Sequence, residues 1–595
     1  MKQKSTGKVK TEWNLAQLYK SPNDPQIDKD IDVAEKAYLN FAKKYSKNTS
    51  YLTSEIGLSK ALKDYEALNE LPASKSAFYL HLAGDINSFD EKIKSKSNLV
   101  SQRLQKIGNY IVFFDINLAK ISSKQQNIFL KSKKLKKYNY YLKKTFEQSK
   151  FLLTEPEEKI LSLKSLTSSH MWTQAVGNIK SKKTVTHKGK SISLSEASAL
   201  VNELPLQKDR YELQNKIMDV YFGIAEIAES ELNAIVTDKK INDELRGFKQ
   251  AYDSTIFSYD NDEKTVLSLI KTVSENFKIS QNFYKLKAKM LKVRKLNYSD
   301  RGVPVGKTKT KFTFEASYKL LLELFNRIDP EFGTILKTFV ENGQIDAFPK
   351  VGKRGGAYCS PHHNSPTFVM LNHTESMNSL STFAHEMGHA IHSEYAKTQP
   401  AIYEGYSMST AEVASTLFEY FLFYDMFEKM SDEEKIIALH DKIQDDIGTI
   451  FRQIACFNFE LEMHNTIRKN GSMSKEELAE AMNKHMKTYM GDINFGDKDG
   501  YFFVGWPHLR YIFYVYSYAF GQLTSKVLYS KYKEDKTYIE KIKQFLSTGS
   551  SMSPEDTFKA IGLDLKNPEF WKNGMKEIES DIKLLEKLIS RSNKK

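Results

Sequence analysis

Cysteine is almost missing from this chain: among 595 residues only Cys359 and Cys456 occur. Two cysteines exclude a disulfide framework and a cysteine-rich zinc site, and they suit a reducing cytoplasm, where both are expected as single buried thiols. Long apolar runs are missing too. The most apolar stretch, Phe418 to Phe427, is broken by Glu419 and Asp425, and no apolar segment follows the basic start MKQKSTGKVKTEWN. Neither a membrane span nor a signal peptide is therefore expected. Proline is sparse, with 14 residues, which leaves long segments unbroken. No internal repeat is visible.

The long segments are rich in Leu, Lys and Glu and separated by short polar breaks, so the chain reads as mainly α. Its net charge of +14 raises the question of a nucleic-acid partner. The most basic stretch, Lys131 to Lys150, keeps Leu135, Tyr138, Leu142 and Phe146 close to helical spacing. The lysines are then the solvated face of an amphipathic helix, and no nucleic-acid partner is expected. Thr154, Pro156 and the acids after it read as a capped helix start. Lys182 to Ser193 reads as a short hairpin turning at His-Lys-Gly-Lys. It marks a boundary between an N-terminal helical lobe, 1–190, and a catalytic region, 191–595. A second non-helical island, Phe348 to Thr374, is expected to hold two strands.

Directly after that island stands His385-Glu386-Met387-Gly388-His389, a complete H-E-x-x-H. Residues four apart share one face of a helix, so both imidazoles can grip one metal ion. Glu386 leaves the helix to one side, placed to deprotonate a metal-bound water. By chance the pattern arises in roughly 2% of chains of this composition, so its surroundings must decide. The helix is expected from about Ser376–Ser379 to Ala396, with Ser379 and Ser381 as available caps and Thr398-Gln399-Pro400 as its stop.

Tetrahedral zinc with a water needs a third protein ligand. The candidates are His392, Glu394, Glu404, Glu412 and Glu419. His392 lies about 10 Å along the axis from His385, too far to share the ion, and packs beside the site instead. Glu394 points to the opposite face, and Glu404 lies in a turn. A further helix opens near Ser409 and carries Glu412 in its first turn, followed two turns later by Glu419. Glu412 is favoured as the ligand, although Ser409-Thr410-Ala411-Glu412 also reads as a capping box.

AHEMGHAIHS followed by TAEVASTLFE resembles the oligoendopeptidase F branch of the thimet-oligopeptidase-like zinc metallopeptidases. The likeness extends to EWNLAQLY, LTEPEEKIL, RGGAYCS, FVMLNHT, WPHLRYIFYVYSYAFG, FLSTGSSMSPED and GLDLKNPEFW, essentially end to end. It implies a two-lobed, neurolysin-like helical fold with a small β-sheet beside a deep channel. It also implies one Zn2+ ion, with Glu412 joining His385 and His389 as ligands and Glu386 as the base. Glu419 and His392 are expected just behind them. The substrates implied are short unfolded peptides cut at internal bonds, and no membrane partner is expected.

Hydrolysis of a peptide passes through an oxyanion that needs fixed hydrogen-bond donors. His508 and the ladder Tyr511, Tyr514, Tyr516 and Tyr518 offer them; the resemblance points to His508 with Tyr514 and Tyr518, leaving Tyr511 and Tyr516 as packing. It also places Gly355, Gly356, Ala357 and Tyr358 beside the cleft, where glycine lets a substrate backbone approach. The rivals are a zinc carboxypeptidase or dipeptidase with Arg354 or Arg510 clamping a substrate terminus, and a non-catalytic binding protein.

Overall fold

The computed structural model describes residues 9–306 and 310–592. Helices dominate it, with one two-stranded and one three-stranded sheet. Among the described residues no helix is long and apolar enough to cross a membrane. Leu135, Tyr138, Leu142 and Phe146 are buried in a cluster with Phe41 and Phe114, with the lysines between them turned outward. The segment is a 3-10 turn, Lys133–Tyr138, running into a helix, Asn139–Gln148. A second N-terminal cluster gathers Trp13, Tyr19, Ile27, Phe78 and Leu82. The main core runs from Val176 to Leu588.

Strands β1 (Thr184–His187) and β2 (Lys190–Ser193) form the expected hairpin. Its turn places Lys188 and Gly189 at positive φ, 48° and 78°, as a two-residue hairpin of right-handed twist requires. The island before H-E-x-x-H holds β4 (Tyr358–Ser360) and β5 (Phe368–Met370), paired antiparallel. A third strand, β3 (Ile345–Asp346), pairs parallel with β5; at two residues it is too short to leave an alternating pattern. In β5 Val369 faces the main core while Phe368 and Met370 face the N-terminal cluster, the two-residue period of a strand dividing two cores. Trp13 Nε1 donates to the Val369 carbonyl at 2.8 Å, so the N-terminal segment clasps the sheet.

Five helices bear on the site: α1 (Ala73–Ile86), α2 (Met377–Ala396), α3 (Met408–Lys429), α4 (Arg452–Asn470) and α5 (Tyr516–Glu534). The cap of α2 is Ser376, whose Oγ accepts from Ser379 N at 3.1 Å, not Ser379 or Ser381 as the sequence suggested. Ser379 Oγ accepts instead from Thr374 N. The α3 cap is Ser407. Ser409 Oγ donates to Asn261 Oδ1 at 2.6 Å, so the expected Ser409–Glu412 capping box does not form and Glu412 lies beyond the first turn.

Close helix contacts fix the geometry. A Cβ on Gly388 would lie 2.7 Å from Ser415 Cα, so only glycine lets α2 and α3 approach this far. A Cβ on Gly521 of α5 would lie 3.0 Å from Glu412 Cβ.

Candidate metal centre and active site

One ligand atom each of His385, His389 and Glu412 lie within 4.8 Å of one another. The two imidazoles come from one face of α2, with ring centroids 4.8 Å apart, and Glu412 is brought to them from α3. His385 Nδ1 donates to Glu419 Oε1 at 2.6 Å, and Glu419 Oε2 accepts from Ser381 Oγ at 3.1 Å. That leaves His385 Nε2 turned toward Glu412 Oε2, 3.7 Å away. A carboxylate behind a ligating histidine fixes its tautomer and ring orientation.

Burial pushes the His385 imidazole down, but the Glu419 hydrogen bond and the carboxylates of Glu419, Glu386 and Glu412 outweigh it and lift it to about 9 when no cation shares the site. Burial, with the charge of His385, drives His389 well below its usual range, so its lone pair is free to bind a metal. Glu386 is 6% exposed, and its Oε2 has no hydrogen-bond partner among the described residues. Burial, opposed by His385 and reinforced by Glu412 and Glu419, raises it to about 7. His392 is stacked on Tyr406, with ring centroids 3.9 Å apart, and burial alone pushes it to about 3; it lies outside the cluster of possible ligands.

The cluster opens into a cavity of about 710 Å3. Ala357, just before β4, and Tyr358 and Cys359 of β4 line it, as do His362, His363, Glu404 and Tyr406. Gly355 lines neither this cavity nor its neighbour, and Gly356 lines the neighbour. Gly356 sits at φ 82°, the left-handed region glycine adopts freely, and its carbonyl accepts from Asn372 Nδ2 at 2.7 Å. Tyr358 donates to Asp85 Oδ2 of α1 at 2.6 Å. Arg354 pairs with the same carboxylate and Arg510 with Glu231, so both proposed terminal clamps are already engaged.

His508, Tyr514 and Tyr518 form a connected group of their own, which does not line the cavity. Tyr514 and Tyr518 share a hydrogen bond between their hydroxyls at 2.7 Å, and the Tyr518 hydroxyl lies 3.5 Å from His508 Nε2. Burial and the charge of Arg452 lower the His508 imidazole. Tyr516 packs as expected and donates to Asn261. Tyr511, expected as packing, is instead 69% exposed, at the end of the 3-10 segment Pro507–Arg510 and before α5 begins.

The sequence did not single out His363 and Glu404 as partners. His363 donates from Nδ1 to Glu404 and from Nε2 to Glu70 at 2.7 Å. Three separate loops supply these residues, and no local pattern could have joined them.

The family model described as Peptidase family M3 matches residues 210–577, more than half of the chain. The chain belongs to peptidase family M3. This M3 chain is accordingly a metalloendopeptidase, and a second model, Oligopeptidase F, matches residues 117–175. It is 26% identical to Oligopeptidase PepF of Bacillus subtilis, over 99% of this chain and 88% of the relative. It is 28% identical to an Oligoendopeptidase F homolog of Borreliella burgdorferi, over 93% and 94% of the two chains. Two solved structures share its fold. A protein of Chlamydophila abortus has a TM-score of 0.84 at 23% identity, covering 97% of this chain and 98% of its own. Oligoendopeptidase-F of Enterococcus faecium has a TM-score of 0.66 at 18% identity, covering 95% and 98%. The expected mainly helical M3 fold with small sheets is the one observed.

Proposed function

We propose that this M3 chain is a zinc-dependent endopeptidase that cuts internal bonds of short unfolded peptides, with His385, His389 and Glu412 as metal ligands and Glu386 as the general base. The observation that carries the reading is the convergence of those three donors within 4.8 Å, beside a buried carboxyl that none of them uses. Two neutral-capable imidazoles and one carboxylate match a catalytic zinc site with an open position. When bound, zinc supplies Lewis acidity and a more acidic water.

Glu386 takes a proton from the attacking water and passes it to the leaving amine. Its unpartnered Oε2 points to that use. Glu419 holds the His385 ring. Ala357, just before β4, and Tyr358 of β4 hydrogen-bond an extended substrate backbone, with Gly355 and Gly356 leading into them. His508 with Tyr514 or Tyr518 donates to the oxyanion; their support is the continuous donor chain and the place of Tyr518 on α5, the helix that backs Glu412. In this reading residues 1–190 form one lobe, 191–595 the catalytic region, and the enzyme works in the cytoplasm.

Metal analysis coupled to cleavage mapping on a library of end-blocked peptides tests this. One zinc per chain and internal cuts are expected, with Glu386→Gln lowering kcat by roughly 10²–10⁴-fold while metal is kept. A chain without stoichiometric metal whose Glu386→Gln variant keeps full activity would sink the catalytic reading. Cuts confined to one or two residues from a free end would sink the endopeptidase claim.

A further inference from the structure

Arg103, Arg210, Arg246, Arg468 and Arg510 are all at least partly buried, and each sits in an ion pair. Arg301 and Arg452 are also at least partly buried and make no ion pair among the described residues. Arg452, the first residue of α4, lays its guanidinium 4.3 Å from the Trp506 ring centroid and 5.3 Å from that of Phe502. It makes no hydrogen bond or ion pair with any described residue, and its Nε is buried without an acceptor. Trp506 Nε1 and His508 Nδ1 are likewise buried and unpaired. Arg301 shares the Phe502 ring at 6.0 Å, lies 4.1 Å from the Tyr298 centroid, and gives one N–H to the Tyr298 carbonyl.

Aromatic faces hold a guanidinium in place without cancelling its charge. An enclosed charge left unpaired is costly. Two guanidiniums and an unused indole N–H therefore call for an anion with more than one acceptor oxygen, which a carboxylate supplies to the planar fork of arginine.

We propose that Arg452, assisted by Arg301, binds a carboxylate of the peptide substrate, either its C-terminus or an acidic side chain. The proposal rests on the peptidase reading above. Trp506 connects the subsite to His508, ring centroids 5.1 Å apart, and His508 leads through Tyr518 to the helix behind Glu412. Neither arginine lines the metal cavity. The carboxylate subsite is thus separate from the metal cavity.

The test uses the metal-loaded enzyme and three N-blocked peptides of one sequence: a C-terminal acid, its amide, and the amide with one Glu added on the C-terminal side. The acid is expected to show a KM roughly tenfold or more below that of the amide, as loss of a charge-assisted pair implies, with kcat little changed. Arg452→Gln is expected to close that gap, and Arg452→Lys to restore part of it. Recovery of the low KM by the added Glu assigns the site to side chains, and failure to recover it assigns the site to the terminus. Equal KM for acid and amide in the wild-type enzyme, which needs no variant, overturns the proposal, as does a gap that survives Arg452→Gln. Absence of all cleavage counts against the peptidase reading alone. In that case calorimetric binding of acid and amide to the Glu386→Gln chain still decides the subsite: preference for the acid supports it, and equal affinity overturns it.

Discussion

Glu412 and Glu419 lie two turns apart on one helix but meet His385 on different nitrogens, Glu419 at Nδ1 and Glu412 across from Nε2. In the proposed centre the first is a support and the second a ligand. Glu412→Ala is expected to lose its metal on dialysis. Glu419→Ala is expected to keep it with affinity weakened about 10–100-fold. Chelator competition measures both, and the reverse order would exchange the roles. At this scale His385, Glu386 and His389 were legible, because i,i+4 spacing on a helix is a local property. In the sequence Glu412 is the favoured third ligand, but its position in the helix was not legible, because Ser409 reads as the cap, whereas Ser407 caps α3 and Ser409 bonds to Asn261. Arg452 was illegible as well: what marks it is a missing partner, which no string of letters displays.

Between elements, the site depends on how near α3 comes to α2. Gly388→Ala pushes a methyl into the Ser415 backbone and is expected to cost about 1–3 kcal/mol by overpacking. The Glu412 carboxylate then retreats from the histidines. Thermal melting together with metal content checks this: a full metal complement with an unchanged Tm would show that the contact is not needed. The sequence showed α2 and α3 through their helical period and the hairpin through its β-branched residues and turn, whereas both helix caps fell on serines other than those expected. It did not show β3, whose pairing is made by residues distant in the chain.

Across the whole molecule, His363 joins Glu70, just beyond helix Glu55–Asn69, to Glu404 in the loop between α2 and α3. Burial lowers the His363 imidazole, but the two carboxylates outweigh it and raise it above its usual value. A raised pKa stabilises the fold fully below the unfolded value of about 6.5 and is lost as pH rises through the folded value. Glu70→Gln should therefore lower Tm at pH 6, with the difference from wild type shrinking toward pH 9. A constant difference across that range would mean that the bridge is not ionic. The effect will be modest, because Glu70 is partly exposed and solvent screens the pair. The mainly helical architecture was legible from composition and period, whereas bridges of this kind depend on which loops meet, and that is decided by packing.

The clasp of Trp13 on β5 joins residues 356 positions apart. During synthesis at about 5–20 residues per second, Trp13 waits roughly 20 to 70 s for its acceptor to be made. Until then the apolar faces of Tyr19, Ile27 and Phe78 have no sheet to cover them. The N-terminal segment thus leaves the ribosome with an apolar face uncovered until β5 has been made.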